Sequence, residues 1–361
     1  MEKFTQAEKC VIWLDSFIGL EYKYKRQFIE ENIDEQNLLE LAQKYILSHV
    51  GEKEYRTVKN CANAEYINFL IESYEKKGIK LTTCLSKDYP ENLKDINCPP
   101  LVIYYKGDLS LLCGQTFAIV GSRKSLPLSL NVAERYTQEL ISVGFTPVTG
   151  IAEGVDGKVL ATALDCGGKC VSVVAGGFNN VYPKHHAELV ERVAERGLVI
   201  SENPPDTVPK PYLFPVRNRI IAGVSKGVLV VSGAMRSGTL YTAEYAVDFG
   251  KDLFAVPYSI GVPSGAGCND LIKKGAILTD SPKDIIDFYG LTVEKPTVNL
   301  SADEKLIVQL LKDGGLHIEK ICTALKKKVF EITPLLSVLE IKGLVIKSGN
   351  VYGLTRNDLE D

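Results

Sequence analysis

The chain has 361 residues, 45% hydrophobic and 24% charged, with a formal net charge of −3. That length suits two or three domains with cores of normal size, and that composition places it among soluble globular proteins. No apolar run approaches the roughly 20 residues that span a bilayer, and the opening MEKFTQAEKC is too polar for a signal peptide, so a cytoplasmic protein without a membrane partner is expected.

Residues 1 to about 80 carry helical periodicity without strands. In CVIWLDSFIGL, Trp13, Leu14, Phe17, Ile18 and Leu20 follow a three-to-four spacing that makes a small apolar face. From about 112 to 290 the pattern becomes repeated strand, loop and helix: FAIV and a helix over 128–143, FTPVTG and a helix from Val155 to Cys166, CVSVVAGG and a helix through HAELVERVAE, then LVISE. After GVLVVSG comes a helix through TAEYAVDFG, then DLFAVPY, LIKKGA and a short acidic helix. Short apolar runs that do not alternate, spaced by helices, predict an α/β fold with a parallel, Rossmann-like sheet covered on both faces. The passage PPDTVPKPYLFP holds five prolines and predicts an irregular segment that crosses the ligand edge of the sheet and delivers Arg217 there.

LTVEKPTVN (291 to 299) reads as a polar linker, and Ser301 with Glu304 three residues on reads as a capping box. Three helices and the hairpin-like VIKSGNVYG then follow in the order of a winged helix–turn–helix. Its candidate recognition helix, EITPLLSVLEIKG, is apolar and offers only Lys342 as a basic group. Helices that read bases present polar side chains, so a protein-contact or accessory role is favoured over sequence-specific readout.

The most informative stretch is FPVRNRIIAGVSKGVLVVSGAMRSGTLYTAEYA, residues 214–246, in which the buried strand VLVV lies between an arginine pair and a small-residue loop. Parallel sheets bind ligands at the carboxyl ends of their strands, where helix N-termini point. Arg217, Asn218 and Arg219 in a turn-like stretch can present two guanidinium forks and an amide to phosphates, and Ser237, Gly238 and Thr239 offer backbone N–H groups. Net negative charge argues against a nucleic-acid partner. Between Lys210 and Lys251, however, six basic residues stand against two acidic ones, and the field at a site follows nearby charge.

Nine cysteines, an odd number scattered along the chain, argue for a reducing compartment rather than a disulfide framework. Cys166 and Cys170 form a CGGKC pair with no second pair at ligand spacing, so they read as small buried hydrophobes and no metal is expected. The four histidines, His49, His185, His186 and His317, form no ligand-spaced cluster, and no catalytic residue and no cofactor is predicted.

DYPENLKDINCPPLVIYYKGDLSLL, FAIVGSRKS, TGIAEGVDGKVLATAL, GGFNNVYPKHH, the RNR stretch and FAVPYSIGVPSGAGCNDLIKKGA follow one another collinearly from about residue 85, and the C-terminal tail completes the series near 355. In this order they resemble the DNA processing protein A family, also called DprA or Smf. The resemblance implies a small helical domain over 1–80, similar to SAM or helix-hairpin-helix modules, a Rossmann-like core over 81–290, and a linker with a winged helix over 291–361. It further implies a non-enzymatic single-stranded DNA-binding protein that loads RecA recombinase during natural transformation or recombination and acts as a homodimer. The expected DNA or phosphate contacts are Gly121, Ser122 and Arg123 in the GSR loop and Lys184, where the resemblance places backbone contacts, Gly150 and Gly177 at strand ends, and Arg217, Asn218, Arg219, Ser237, Gly238 and Thr239. Tight strand-to-helix turns explain the glycines at these strand ends almost as well as binding does.

Some positions depart from the family pattern: Glu153 stands for an arginine, Leu160 for a histidine, Asn179 for an aspartate, Ser232 for an acid, Tyr258 for a glycine and Cys268 for a threonine. These departures are expected to alter the lining of the pocket. Two other readings use the same fold. One is a nucleotide-binding or nucleotide-hydrolysing enzyme; in the related lysine-decarboxylase-like hydrolases the loop runs GGxGTxxE, and here Thr242 occupies the position of the glutamate. The other is a nucleotide sensor or adaptor whose winged helix meets a partner.

Overall fold

The apolar runs TFAIV, VSV, LVIS and GVLV are buried at every residue, because each is a central strand covered on both faces. The computed structural model describes residues 3–17, 20–33, 37–49, 63–292, 300–312 and 314–354. Ile18 and most of the predicted linker, 293–299, lie outside these. The chain divides into two compact units, Met1–Val293 and Glu294–Asp361.

The first unit is built on a nine-stranded sheet of order β1-β2-β6-β5-β4-β3-β7-β8-β9. Its strands are β1 (Lys80–Thr83), β2 (Val102–Gly107), β3 (Thr116–Val120), β4 (Thr146–Thr149), β5 (Val171–Val173), β6 (Leu198–Ser201), β7 (Gly227–Val230), β8 (Asp252–Ala255) and β9 (Ile277–Leu278). β3 to β9 pair in parallel, as predicted. The antiparallel edge, β1 with β2 and β2 with β6, was not foreseen, since no helical pattern separates KLTT from VIYYKG to announce a crossover.

Among the described residues, four helices, α1 (Gln6–Ser16), α2 (Tyr22–Asn32), α3 (Leu38–His49) and α4 (Ala64–Glu75), precede the sheet. Their buried Trp13, Phe28, Ile46 and Ile67 share one apolar cluster with Val102 and Tyr104 of β2 and with Leu160 and Val193. Helices α5 (Pro127–Ser142), α6 (Val155–Asp165), α7 (Ala187–Arg196), α8 (Leu213–Val224), α9 (Thr239–Asp248), α10 (Ala266–Lys273) and α11 (Pro282–Phe288) complete this unit among the described residues.

One local expectation fails. Arg217, Asn218 and Arg219 are not in a turn but in the second turn of α8. Pro215 is the third residue of that helix, where its missing N–H has no intrahelical partner to lose, so the proline run ends in a helix start. Residues two apart on a helix point to nearly opposite sides, and the arginine pair is split.

The second unit holds α12 (Ala302–Leu311), β10 (Leu316–His317), α13 (Ile318–Leu325), α14 (Val329–Ile341), β11 (Val345–Ser348) and β12 (Val351–Leu354), with strand order β10-β12-β11. The Ser301 capping box is present: Glu304 N–H donates to Ser301 Oγ at 3.3 Å, and Ser301 N–H donates to Glu304 Oε2 at 2.7 Å. Ile307, Leu311, Ile321, Ile332, Leu336, Leu339 and Val345 form its core.

Candidate nucleic-acid interface

The chain leaves β3 toward β4, β5 and β6 on one side, then returns to lay β7 on the other side of β3. That reversal is the switch point of an open α/β sheet, where diverging loops leave a crevice. A cleft of about 570 Å³ occupies it. Its walls come from the loop after β3 (Gly121 to Lys124), the start of α8 (Phe214, Arg217, Asn218) and the loop before α9 (Arg236 to Thr239), with Asp156 of α6 below. Arg123, Lys124, Arg217 and Arg236 face a single lining acid, Asp156, so the cleft is locally cationic although the chain is not.

Arg217 is 4% exposed and forms the floor. One terminal nitrogen donates to the carbonyl of Val173, and the Nε donor has no protein partner. Burial pushes its pKa down to about 10, against the pull of Asp156, so it remains cationic at neutral pH. Burial raises the pKa of Asp156, opposed by Arg217. Both groups crowd Gly150: a Cβ there would lie 2.5 Å from Asp156 Oδ2 and 2.7 Å from the Arg217 terminal nitrogens. Gly150 therefore makes room for the pair and does not line the cleft itself.

Arg219 faces away from the cleft. It is 5% exposed, and its guanidinium takes Glu202 in a two-pronged ion pair, with Nη1 to Oε1 at 2.9 Å, while Nε donates to Cys98 O at 3.0 Å. It is absent from the cleft wall because the helix turns it to the other side. Gly177 and Lys184 are also outside the cleft. A Cβ on Gly177 would meet the carbonyls of Pro204 and Pro205 at 2.2 Å, which makes this glycine a packing requirement of the proline segment. Lys184 lies exposed in the short turn Lys184–His186.

Several expected donors are engaged within the protein. The Ser122 hydroxyl donates to Lys124 O at 3.2 Å, and Asn218 Nδ2 donates to Gly238 O at 3.2 Å, tying α8 to the loop before α9. Ser237 N–H donates to Ala234 O at 2.9 Å, and Thr239 N–H to Ser237 Oγ at 3.3 Å. Phe214 was missed by sequence reasoning. The Arg123 guanidinium carbon sits 4.8 Å from the centre of its ring, and Tyr182 meets the same ring edge-on at 5.9 Å. An aromatic beside the prolines was the available signal.

None of the six departures lines the cleft. Leu160 and Cys268 are fully buried core residues, the amide of Asn179 bonds Asp206, and Glu153 lies 3.4 Å from His185 on the surface. Ser232 and Tyr258 stand behind the wall, where Ser232 Oγ accepts from Ser122 N–H at 3.1 Å. Thr242 does line the cleft, at 1% exposure. Of the cysteine pair, Cys170 is buried as expected but Cys166 is exposed, at the C-terminal end of α6. The described residues contain no cluster of three or more potential metal-ligating His, Cys, Asp or Glu, and no helix long and apolar enough to cross a membrane.

The sequence is 39% identical over 219 residues to the DNA processing protein DprA of Bacillus subtilis, covering 60% of this chain and 74% of that one. Among solved structures it resembles DNA processing protein A from Streptococcus pneumoniae, with a TM-score of 0.69 and 31% identity over 79% of this chain and 98% of that one. It also resembles DNA processing protein A from Helicobacter pylori, described for its single-stranded DNA binding mode, with a TM-score of 0.52 and 27% identity over 58% of this chain and 95% of that one. Residues 80–290, which hold the whole sheet and the whole cleft, match the family model for DNA recombination-mediator protein A, and the chain belongs to that family.

Proposed function

We propose that this protein binds single-stranded DNA in the switch-point cleft without catalysing a reaction, and that it loads RecA recombinase onto the bound strand. The observation that carries the reading is Arg217, a buried cation on the cleft floor with an unpaired Nε donor. A buried cation whose charge is answered inside the protein by one carboxylate gains from a further anion, and a phosphate oxygen in the cleft supplies one. Arg123, Lys124 and Arg236 at the rim add charge for neighbouring phosphates. Phe214, with Arg123 over one side and Tyr182 at its edge, supplies an aromatic surface suited to stacking of unpaired bases, which every base can satisfy. The single-stranded DNA binding of the Helicobacter pylori relative supports the same reading.

In this scheme residues 81–290 hold the strand and the helical segment 1–80 packs and spaces it. The winged-helix-ordered segment 291–361 meets a protein, through apolar side chains such as Phe330 and Ile341, which are 71% and 87% exposed. The protein acts in the cytoplasm as a homodimer. Its sheet ends on the two-residue strand β9, with Leu278 exposed, an edge that a second copy can cover.

The test is fluorescence anisotropy with single-stranded and duplex oligonucleotides of one sequence at two salt concentrations. Preference for the single strand is expected, with log affinity falling by roughly 0.7 per neutralised phosphate for each tenfold rise in salt. Equal affinity for duplex, or no salt dependence, overturns the reading. Incubation with nucleoside monophosphates should give no turnover; product in excess of enzyme would favour the hydrolase alternative despite Thr242.

A further inference from the structure

The loop from Gly121 to Leu126, which carries Arg123, joins β3 to α5, and both of its ends are fastened to the same place. At its start, Ser122 N–H donates to Ser232 Oγ at 3.1 Å. At its far end, Ser129 in the first turn of α5 lies 2.9 Å from the hydroxyl of Tyr258, which is itself 2.9 Å from Val231 O. A carbonyl only accepts and a phenol has one proton, so Tyr258 donates to Val231 and Ser129 donates to Tyr258. Ser129 and Val231 are fully buried, so water does not take the place of the Tyr258 hydroxyl as their partner.

Tyr258 is itself held. Its N–H donates to Asn269 Oδ1 at 3.0 Å and its carbonyl accepts from Asn269 Nδ2 at 2.9 Å. Its ring lies over Gly265, where a Cβ would come within 1.9 Å of the ring carbon Cγ. A phenol fixed at both backbone and ring therefore delivers its hydroxyl to one spot between α5 and the end of β7.

We propose that Tyr258, with Ser129 and Ser232, is a positioning clamp that fixes the Gly121–Leu126 loop so that Arg123 stays over Phe214 at the mouth of the cleft. Tyr258 is not part of the cleft wall; it acts through the loop. The proposal rests on the DNA-binding reading for its effect on affinity, and on the loop geometry alone for its effect on order.

Tyr258→Phe keeps the ring over Gly265 and removes the two hydroxyl bonds. Hydrogen exchange without DNA should show faster exchange at the Ser122 and Lys124 amides in Tyr258→Phe and in Ser232→Ala, with protection elsewhere in the sheet unchanged. Single-stranded DNA affinity should fall about fivefold, as expected for one buried hydrogen-bonding group. In an Arg123→Ala background, Tyr258→Phe should have no further effect on affinity, because the two act in series. Additive losses mean that Tyr258 matters only to general stability, and unchanged exchange at Ser122 and Lys124 overturns the clamp. If the unmodified protein binds no single-stranded DNA, the functional reading fails, and the exchange result still decides the clamp.

Discussion

Arg219→Met separates the two members of the RNR pair. The guanidinium is 5% exposed and bonds Glu202, Cys98 O and Val216 O, so its removal leaves the Glu202 carboxylate, itself largely buried, without its cation. Breaking a buried pair by deleting one partner costs about 3–5 kcal/mol. At roughly 2–4 °C per kcal/mol for a domain of this size, the melting temperature should fall by about 6–20 °C. Arg219→Met with Glu202→Leu, which removes both charges, should recover much of that loss, since an apolar pair pays no desolvation. Thermal melting followed by circular dichroism measures both effects, and anisotropy titration below the melting range measures DNA affinity. A single variant that melts like the unmodified protein yet binds single-stranded DNA with a flatter salt dependence would place Arg219 on the ligand and refute its assignment to the fold.

Arg123→Ala should leave melting almost unchanged and weaken single-stranded DNA binding about five- to tenfold, with the salt slope reduced by roughly 0.7; an unchanged slope would remove Arg123 from the phosphate path. Asp15, partly buried against the Tyr104 hydroxyl at 3.0 Å, has its pKa raised to about 6 from 3.8 by burial, against the pull of Lys25. The folded state therefore holds this proton more tightly than the unfolded state, and the stabilisation is complete below pH 3.8 and lost as pH rises through 6. Between pH 5 and pH 7.5 this group should remove about 1 kcal/mol of stability, and Asp15→Asn should flatten that part of the profile in urea melts; an identical profile excludes Asp15 as its source. A chain ending at Lys295 should keep single-stranded DNA affinity within about tenfold, since the cleft lies wholly in the first unit. A larger loss in a truncated chain that still melts cooperatively would mean that the second unit grips DNA.

Short buried runs such as FAIV and VLVV announced a parallel sheet because a strand covered on both faces has no polar side to show. The Ser301–Glu304 spacing announced a helix start because a capping box is a local contact of four residues. Gly121, Ser122 and Arg123 were legible for the same reason, standing where a strand gives way to a helix. Tertiary structure alone decided which cations line the cleft. Arg217 and Arg219 are neighbours in sequence, yet helical geometry sends one to the cleft floor and the other to Glu202, an acid 17 residues away that nothing local marks as its partner. The antiparallel edge, the stacking of Arg123 on Phe214 and the Tyr258 bonds to Ser129 and Val231 likewise join segments far apart in the chain. Local patterns fix what a residue can do, and long-range packing fixes what it meets.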